Sequence, residues 1–422
     1  MRAPPPSAWA RTSGGGDWQA PDVLPWPVVD RAAARGGRVF GAEDHRDLAE
    51  AARSFCEATL GPVAEEDDAH ERFRPELIRA LGEQGLCGMA TPEAYGGLGL
   101  GYLGYATVLE EIAAVSASYA VSVAVTGLPQ VILSELGTDA QRARWLPGLA
   151  AGELLGAFAL SEPGSGSDAA SLVTTATRDG DDYVLQGSKY WITHGGVADV
   201  YVVMARTGAG GPRGVSAFLV PGDAPGLSFG RKERKMGLRA SPTVEVILDG
   251  VRVPADARIG AEGEGFAVAM RALDSGRITI AATAVGVARA ATAHATRYAT
   301  ERRQFGKPIL EFQGVGFMLA DMACKVEASR LLVHQAAWRR DRGAPYSHLA
   351  AMAKVVSTDS AMAVTTDAVQ VLGGYGYCQD HPVERWMRDA KVLQIVEGTN
   401  QIQRLVIARH LGREAIDGSG VS

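Results

Sequence analysis

The chain has 422 residues, of which 46% are hydrophobic and 21% are charged, a size that suffices for two or three domains with hydrophobic cores. The net charge of −6 argues against a nucleic-acid-binding surface, and no apolar run reaches the roughly 18 residues of a membrane span. The four cysteines are scattered without a metal-ligand spacing, so the sequence predicts buried free thiols and no metal site.

Residues 1–40 are rich in Pro, Gly and Arg and lack an apolar period, which predicts a mobile extension. The stretch has no apolar core of a secretory signal. Arg2 and Arg11 precede the first acidic residue, Asp17, as in a transit peptide, although the proline cluster would break an amphipathic helix. We therefore expect a cytoplasmic protein, or a mitochondrial matrix protein if this extension is a transit peptide.

Residues 41–157 show helical periodicity, with apolar residues at three- to four-residue spacing around Leu77, Leu81 and 108–115. Gly99, Gly101 and Gly104 have the spacing of a dinucleotide-binding loop. No strand precedes them and no βαβ unit surrounds them, so we interpret them as the glycine-rich start of a helix.

Residues 158–271 change to short β-type runs separated by Gly, Pro and Asp turns, which predicts a small antiparallel barrel or sandwich. Residues 272–422 are helical again and predict a four-helix bundle. Its apolar stripes include Ile280, Ala284, Val287, Ala291, Ala295 and Tyr298 in one helix, and Leu349, Met352 and Val356 in another. The predicted fold class is therefore α+β, with an N-terminal helical domain, a middle β domain and a C-terminal bundle.

Two segments of the β region have the composition of a binding site. In FALSEPGSGSD (158–168), Gly164 and Gly166 let backbone N–H groups converge on an anion, although a flexible Ser/Gly linker has a similar composition. In KYWITHGG (189–196), a Trp beside a β-branched Thr usually indicates core packing. We interpret His194 as a turn residue and not as a base.

Three segments of the bundle also stand out. DSGR (274–277) is predicted to head a helix, with Asp274 or Ser275 as its N-cap. ERRQFGKPILEFQ (301–313) has the charge pattern of a solvated helix end. QVLGG (370–374) is predicted to end a helix at a glycine.

Glu397 is the candidate base. It lies among apolar residues in VLQIVEGT (392–399), before a predicted helix at 401–410. Desolvation raises the pKa of such a carboxyl, as a base that removes a proton from carbon requires. The alternative is an N-capping loop whose glutamate favours the helix dipole.

These motifs, in this order, resemble those of the acyl-CoA dehydrogenase family over about residues 43–415. The resemblance implies FAD-dependent dehydrogenation of an acyl thioester, in which Glu397 removes the α-proton and the β-hydrogen leaves as hydride to flavin N5. The thioester oxygen would accept hydrogen bonds from the Glu397 N–H and from a flavin ribityl hydroxyl. Some relatives carry their catalytic glutamate immediately before the arginine of DSGR, where this chain has Gly276.

The family's binding residues are carried over by motif. For FAD, the resemblance implies Phe158, Leu160, Ser161, Gly166, Ser167, Trp191, Ile192, Thr193, Arg302, Gln304, Gln313, Gln370, Gly373, Gly374, Thr399 and Gln401. For the substrate, it implies Ser167, Asp274, Arg277 and Gly398.

The resemblance also implies partners. These are an electron-transferring flavoprotein and a homotetramer in which Arg302 reaches the flavin of a neighbouring subunit. Val396 and Phe158 stand where many members have tyrosine, which leaves the acyl group open, although the segment DSGRITIA favours short or branched chains. The alternatives are a substrate tethered to a carrier protein, an oxygen-using oxidase or monooxygenase, and a non-catalytic flavin scaffold.

Overall fold

The computed structural model describes residues 45–417, so the predicted mobile extension at 1–40 lies outside the described residues. The first part of the chain is helical, as its apolar periodicity predicts. Its helices are α1 (Arg46–Thr59), α2 (Ala64–Ala69), α3 (Pro75–Glu83), α4 (Gly101–Val115), α5 (Ala117–Leu136) and α6 (Asp139–Ala150).

The glycine-rich segment at 99–104 leads into α4, and the prediction of a helix start is confirmed. A short 3-10 turn (Glu93–Tyr95) precedes it instead of a strand. The Asp341 carboxylate accepts hydrogen bonds from the backbone N–H groups of Tyr102 (2.7 Å) and Leu103 (3.0 Å). A side chain therefore occupies the anion position that a dinucleotide would use at this helix N-terminus.

The middle of the chain forms an eight-stranded sheet with the order β6-β7-β3-β2-β4-β5-β8 and with β1 beside β4. Its strands are β1 (Gly156–Ala159), β2 (Thr175–Asp179), β3 (Asp182–Thr193), β4 (Val200–Arg206), β5 (Val215–Pro221), β6 (Leu227–Phe229), β7 (Thr243–Pro254) and β8 (Arg258–Ile259). Most neighbours are antiparallel, as predicted, but β1 and β2 both pair with β4 in parallel. Alternation along a strand shows which face is buried but does not fix the direction of the neighbouring strand.

The last part is a bundle of long helices with a short hairpin. Its elements are α7 (Gly265–Glu301), β9 (Arg303–Gln304), β10 (Lys307–Pro308), α8 (Gln313–Asp341), α9 (Ser347–Leu372), α10 (Gly374–Tyr377), α11 (Val383–Leu393) and α12 (Asn400–Asp417). Helices α7, α8 and α9 pack against one another, and α11 and α12 pack on α9. The apolar stripe predicted along α7 is buried at five of its six positions, and the sixth, Tyr298, is partly buried.

The DSGR segment lies inside α7, so the prediction that it heads a helix is wrong. The helix begins at Gly265, before the expected boundary at residue 272. Val268, Ala269 and Ala272 are buried and carry the apolar period back to that start. Asp274 caps nothing, and its carboxylate instead accepts a hydrogen bond from the Ser347 hydroxyl (2.9 Å) at the start of α9.

The stripe predicted for α9 is also wrong. Val356 is exposed, and Leu349 and Met352 are only partly buried. The buried face consists mainly of small side chains, together with one lysine: Ala350, Ala353, Lys354, Ser357, Thr358 and Ala361. Small residues let helices approach closely, whereas a search for large apolar residues selects the wrong face of such a helix.

The cysteines divide into two pairs. Cys56 and Cys87 are buried free thiols, as predicted, whereas Cys324 and Cys378 are exposed. Cys324 lies on a solvent-facing side of α8 and Cys378 follows α10, so an apolar context in the sequence did not ensure burial. Within residues 45–417, no group of three or more His, Cys, Asp and Glu residues is arranged to hold a metal ion.

Two helices, α5 and α7, are long and apolar enough to cross a bilayer by length and composition alone. Within the fold, 94% of the most apolar stretch of α5 and 72% of that of α7 are buried. Burial of this extent is typical of helices in a protein core.

Candidate active site

Glu397 lies in the turn that connects α11 to α12. Its backbone is left-handed, with φ 54°, and Gly398 follows with φ 85°. A left-handed glutamate is uncommon and persists only where its surroundings hold it. The side-chain amide of Gln403 donates to the carbonyl oxygens of Glu397 (3.1 Å) and Gly398 (2.9 Å), so α12 holds the turn in place.

The N-terminus of α12 is capped by Thr399 and not by Glu397. The Thr399 hydroxyl accepts a hydrogen bond from the Ile402 N–H at 3.3 Å. Gln401, one residue into the helix, is exposed. The loop therefore does cap α12, as the alternative interpretation holds, but it does so through Thr399. Capping does not explain the Glu397 carboxylate.

One oxygen of the Glu397 carboxylate is enclosed and unpaired, although the residue as a whole is half-buried. Its Oε2 atom is inaccessible to solvent and has no hydrogen-bond partner among the described residues. Burial raises the pKa of Glu397 to about 7, against the opposing charges of Arg277 and Lys354. A carboxyl with this pKa changes its charge near neutral pH, as a general base requires.

Gly276 makes room for this carboxylate. A Cβ atom at residue 276 would lie 2.5 Å from Glu397 Oε2 and 3.2 Å from a methyl group of Leu128. The position that bears the glutamate in some relatives thus adjoins the Glu397 carboxylate of this chain. Leu128 of α5 and Gly276 of α7 thus lie next to each other beside this carboxylate.

Arg277 and Asp274 lie beside this site as a buried pair. Arg277 is 4% exposed, and its guanidinium donates to the Asp274 carboxylate. The Nε atom of Arg277 is buried without a hydrogen-bond partner among the described residues. Arg277 therefore acts on Glu397 through its charge. Its contact with the substrate stays a prediction.

The FALSEPGSGSD segment extends from β1 and is fixed by one buried ion pair. Glu162 accepts hydrogen bonds from the Lys189 ammonium (2.7 Å) and from the Val173 (2.7 Å) and Thr174 (3.0 Å) N–H groups. Burial lowers the pKa of Lys189 to about 8, against the opposing charge of Glu162. The segment is thus a fixed loop and not a flexible linker.

The predicted flavin residues of this loop range from buried to exposed along the segment. Leu160 is buried, Phe158 and Ser161 are partly buried, and Gly166 and Ser167 are exposed. A Cβ atom at Gly166 would have no atom within 4 Å, so the space above this glycine is open.

Trp191, Ile192 and Thr193 end strand β3 next to this loop. The Tyr190 N–H donates to the Ser161 carbonyl (2.8 Å), which joins the two segments. Trp191 has a left-handed φ of 57° and is 57% exposed, an unusual state for so large an apolar side chain. Ile192 is buried and Thr193 is partly buried.

His194 lies in the turn after β3, as predicted. It is fully buried, and its Nδ1 lies 3.0 Å from the Gly156 carbonyl oxygen. Burial lowers the pKa of His194 to about 4, so the ring is neutral at physiological pH.

A second group of predicted residues lies at the far ends of α7 and α9. Arg302, Gln304, Gly373 and Gly374 line a cavity of about 550 Å³ together with Tyr298 and Tyr375. The Arg302 guanidinium lies 5.5 Å from the centre of the Tyr375 ring. Gln313 and Gln370 are exposed at the first turn of α8 and the last turn of α9 and do not line this cavity.

Most of the predicted residues therefore form three groups: the Glu397 turn with Asp274 and Arg277, the loop of β1 with the end of β3, and the 550 Å³ cavity. Gln313 and Gln370 lie outside that cavity. Sequence reasoning missed Lys189 and Lys354, two fully buried lysines near the first two groups. Their signal in the sequence is a lysine at a position where a β-strand or helix otherwise buries small or apolar residues.

Comparison with known proteins identifies the family. Models of the acyl-CoA dehydrogenase N-terminal, middle and C-terminal domains match residues 42–153, 157–251 and 263–412. The mitochondrial short-chain specific acyl-CoA dehydrogenase of Bos taurus is 44% identical over 371 residues, which cover 87% of this chain and 90% of that relative.

Two solved structures are similar over the same extent. Butyryl-CoA dehydrogenase from Megasphaera elsdenii has a TM-score of 0.86 and 43% identity, and the match covers 87% of this chain and 97% of that chain. A chain in the structure described for the electron transferring flavoprotein of Acidaminococcus fermentans has a TM-score of 0.86 and 46% identity, with coverage of 87% and 98%. The three domain matches and these similarities confirm the predicted fold class and show that this chain belongs to the acyl-CoA dehydrogenase family.

Proposed function

We propose that this chain oxidises a short-chain acyl-CoA to the trans-2-enoyl-CoA, with Glu397 as the catalytic base and FAD as the cofactor. The family is one of oxidoreductases that act on CH–CH bonds. The observation that carries the proposal is the Oε2 atom of Glu397, which is enclosed, has no hydrogen-bond partner among the described residues and lies next to a glycine that leaves it room. A buried carboxylate without a partner destabilises a fold, so its presence calls for a chemical function.

The reaction breaks two C–H bonds of the acyl chain and forms one C=C bond. Glu397 takes the α-hydrogen as a proton onto its carboxylate. When bound, FAD supplies the two-electron acceptor for the β-hydrogen, which leaves as hydride. The α-proton is weakly acidic, so the site must also stabilise the negative charge that develops on the thioester oxygen.

The N–H of Glu397 is the protein's proposed donor to that oxygen. Within residues 45–417, no hydrogen bond uses this N–H, whereas the carbonyl groups of Glu397 and Gly398 are both engaged by Gln403. Because the turn is fixed through its carbonyls, the N–H group is available without reorganisation. The residue that removes the proton would thus also hold the oxygen of the enolate.

The residues present fit an FAD molecule. Gly166 provides open space beside the hydroxyl of Ser167, and the exposed Trp191 offers an aromatic face next to that loop. Arg302 places a guanidinium, which suits a pyrophosphate, in the 550 Å³ cavity. We propose that the loop residues 158–167 and 191–193 hold the flavin ring, and that Arg302, Gln304, Gly373 and Gly374 hold the adenylate of a partner subunit's FAD.

The acyl chain is proposed to be short. A methyl group of Leu128 lies 3.2 Å from where a Cβ atom of Gly276 would be, so a bulky side chain stands beside the Glu397 carboxylate. The bovine relative is described as short-chain specific, and the Megasphaera structure as butyryl-CoA dehydrogenase. Val396, which replaces a larger ring beside the base, leaves room for a branch in the chain.

The finer assignments of partner and location are also proposals. The similarity to a chain in the electron transferring flavoprotein structure supports such a flavoprotein as the electron acceptor. Exposed aromatic residues beside the 550 Å³ cavity, Phe305 and Tyr377, support a homotetramer. We propose a cytoplasmic location, and the transit-peptide alternative rests on residues outside the described chain.

The test is anaerobic bleaching of the bound flavin by a panel of thioesters. We expect butyryl-CoA and branched five-carbon CoA esters to bleach the flavin faster than palmitoyl-CoA. Bleaching only by thioesters loaded on a carrier protein would contradict the assignment to CoA esters. Rapid oxygen uptake after reduction would replace the flavoprotein acceptor with an oxidase function.

A further inference from the structure

Lys354 is a buried lysine whose ammonium donates its hydrogen bonds, among the described residues, to Gly398 and Asn400, directly after Glu397. It belongs to the Ala-, Ser- and Thr-rich face of α9 and is 0% exposed. Lysine is almost never fully buried unless its ammonium is paired. No function assigned above uses this side chain.

The Lys354 ammonium binds both ends of the connection between Glu397 and α12. Its Nζ donates to the Gly398 carbonyl oxygen (3.0 Å) and to the Asn400 side-chain oxygen (2.8 Å). Asn400 is itself fixed, because its amide donates to the Thr358 hydroxyl (2.9 Å) and to the Asp359 carboxylate (2.7 Å). One residue of α9 thus anchors the segment 398–400.

We propose that Lys354 is a positioning residue for the base: it fixes the left-handed turn at residues 397 and 398, and its charge keeps the Glu397 carboxylate ionised in a dry site. This inference rests on the proposal that Glu397 is the base. Lys354 lies outside the six segments that carry the family resemblance, about four turns before the QVLGG segment at the end of the same helix.

The hydrogen bonds of the turn indicate what the Lys354 ammonium contributes from the α9 side. The Gly398 carbonyl accepts hydrogen bonds from both Gln403 and Lys354, so α12 and α9 each hold the turn at this peptide group. Because the backbone at Glu397 is left-handed, loss of one of these anchors would let the turn relax toward a commoner conformation. The carboxylate of Glu397 would then no longer lie at the α-proton while its backbone N–H lies at the thioester oxygen of the same substrate.

The charges that act on this pair come from two helices. Glu397 is influenced by Arg277 of α7 and Lys354 of α9. Lys354 is influenced by Glu397, by Asp359 on its own helix and by Arg277. Asp359 is paired with Arg404 of α12 (2.8 Å), and Arg277 is paired with Asp274. Among the described residues, no carboxylate forms a direct ion pair with the Lys354 ammonium, which instead donates to Gly398 and Asn400.

The sign of the effect follows from these charges. Burial lowers the pKa of Lys354 to about 7, against the opposing charges of Glu397 and Asp359. Lys354 is therefore cationic on the acid side of neutrality, where its charge opposes protonation of Glu397. Without that charge, Glu397 would hold its proton to a higher pH and act as a base only in more alkaline solution.

The experiment compares Lys354→Met, Lys354→Arg and the control Lys325→Met, which removes a partly exposed lysine of α8. Holoenzyme is reduced anaerobically by saturating butyryl-CoA between pH 5.5 and 9, and the rate of flavin bleaching is followed. The rate of flavin bleaching falls toward acid pH, and in Lys354→Met we expect this fall to occur at a higher pH than in the wild type. The variant should be about tenfold slower than the wild type at pH 6, and the difference should become smaller by pH 9. Lys354→Arg should keep the position of that fall, and the control should match the wild type.

A uniform loss of rate at every pH, with the acid-side fall unmoved, would contradict the proposal and leave Lys354 with a structural function only. If Lys354→Met does not fold, as thermal unfolding and flavin content would show, Lys354→Gln replaces it, since glutamine keeps a donor for the turn without a charge. Glu397→Gln is measured in the same series. Near-normal bleaching in that variant would refute Glu397 as the base, whereas an inactive Glu397→Gln with an unmoved fall in Lys354→Met refutes only this inference.

Discussion

At the scale of one residue, the proposed reaction depends on the carboxylate of Glu397. Glu397 combines a left-handed backbone, an unpaired buried oxygen and a raised pKa. Each of these features lowers the stability of the folded chain, and together they give a base that is ready to act near neutral pH. Their coincidence in one side chain favours a catalytic function over a capping function.

The first prediction concerns stability and pH. The pKa of Glu397 is about 7 in the folded chain and has its ordinary, lower value when unfolded, so the folded state loses stability as pH rises toward 7. Glu397→Gln removes this loss. We expect the variant to be more stable than the wild type by roughly 1–3 kcal/mol at pH 8 and by much less at pH 5.

Thermal unfolding at the two pH values measures this difference. The matched control is Glu153→Gln, which changes an exposed glutamate. A variant that is less stable than the wild type at pH 8 would show that the carboxylate supports the fold.

The second prediction concerns Gly276. In Gly276→Ala, the new methyl group would overlap the Glu397 carboxylate and displace it. We expect flavin bleaching to slow by at least about 100-fold with the flavin still bound, because a displacement of about 1 Å can cost this much. Gly314→Ala in α8, where a Cβ atom has nothing within 4 Å, is the control. Unchanged bleaching in Gly276→Ala would contradict the proposed geometry.

At the scale of elements, one buried ion pair fixes the loop that follows β1. Lys189 of β3 and Glu162 of the loop are both almost fully buried, and Lys189 also donates to the Leu160 carbonyl (3.2 Å). The pair joins the loop to the strand that ends at Trp191. The proposed flavin site therefore depends on a contact between two elements.

The third prediction follows from that contact. Lys189→Met leaves the Glu162 carboxylate buried without its cation, which costs about 3–5 kcal/mol of folding free energy. The double variant Lys189→Met with Glu162→Leu should regain much of that stability but still lose flavin, because the loop is no longer held. Chemical denaturation and flavin content measure the two effects. Full flavin retention in the double variant would contradict the role of the loop.

The sequence predicted the helical and β regions and the Glu397 turn because these leave strong local patterns. It failed where the pattern was indirect. Leu349, Met352 and Val356 were chosen over the Ala-rich face of α9, and with that face Lys354 was missed. Asp274 and Ser275 were interpreted as a cap because capping residues also occur inside helices, where their side chains bind other elements.

At the scale of the whole molecule, the candidate flavin residues form groups that do not meet within one chain. The loop of β1 and the end of β3 form one surface, whereas Arg302 and Gly374 line a separate cavity. A cofactor bound by two subunits would join such groups across an interface. Exposed aromatic residues beside the cavity, Phe305 and Tyr377, fit this arrangement.

The fourth prediction is that flavin retention depends on assembly. A cofactor held by two subunits couples its affinity to their association by mass action, so dilution should release flavin. Arg302→Ala should weaken flavin binding about 10- to 100-fold without unfolding the sheet, since a hydrogen bond to a charged group contributes about 1.5–3 kcal/mol. Arg213→Ala, an exposed arginine outside the cavity, is the control.

Sedimentation and flavin fluorescence on one dilution series test the coupling. A monomer that keeps its flavin at every concentration would contradict the shared site.

The central claim is that Glu397 removes the α-proton, and the most direct test is the rate of anaerobic flavin bleaching by butyryl-CoA in Glu397→Gln. A positioned base contributes roughly 10²–10⁴-fold, so we predict a loss of that size with the flavin retained and Glu153→Gln unaffected. Bleaching at a near-normal rate in Glu397→Gln would contradict the claim and assign the base to another residue.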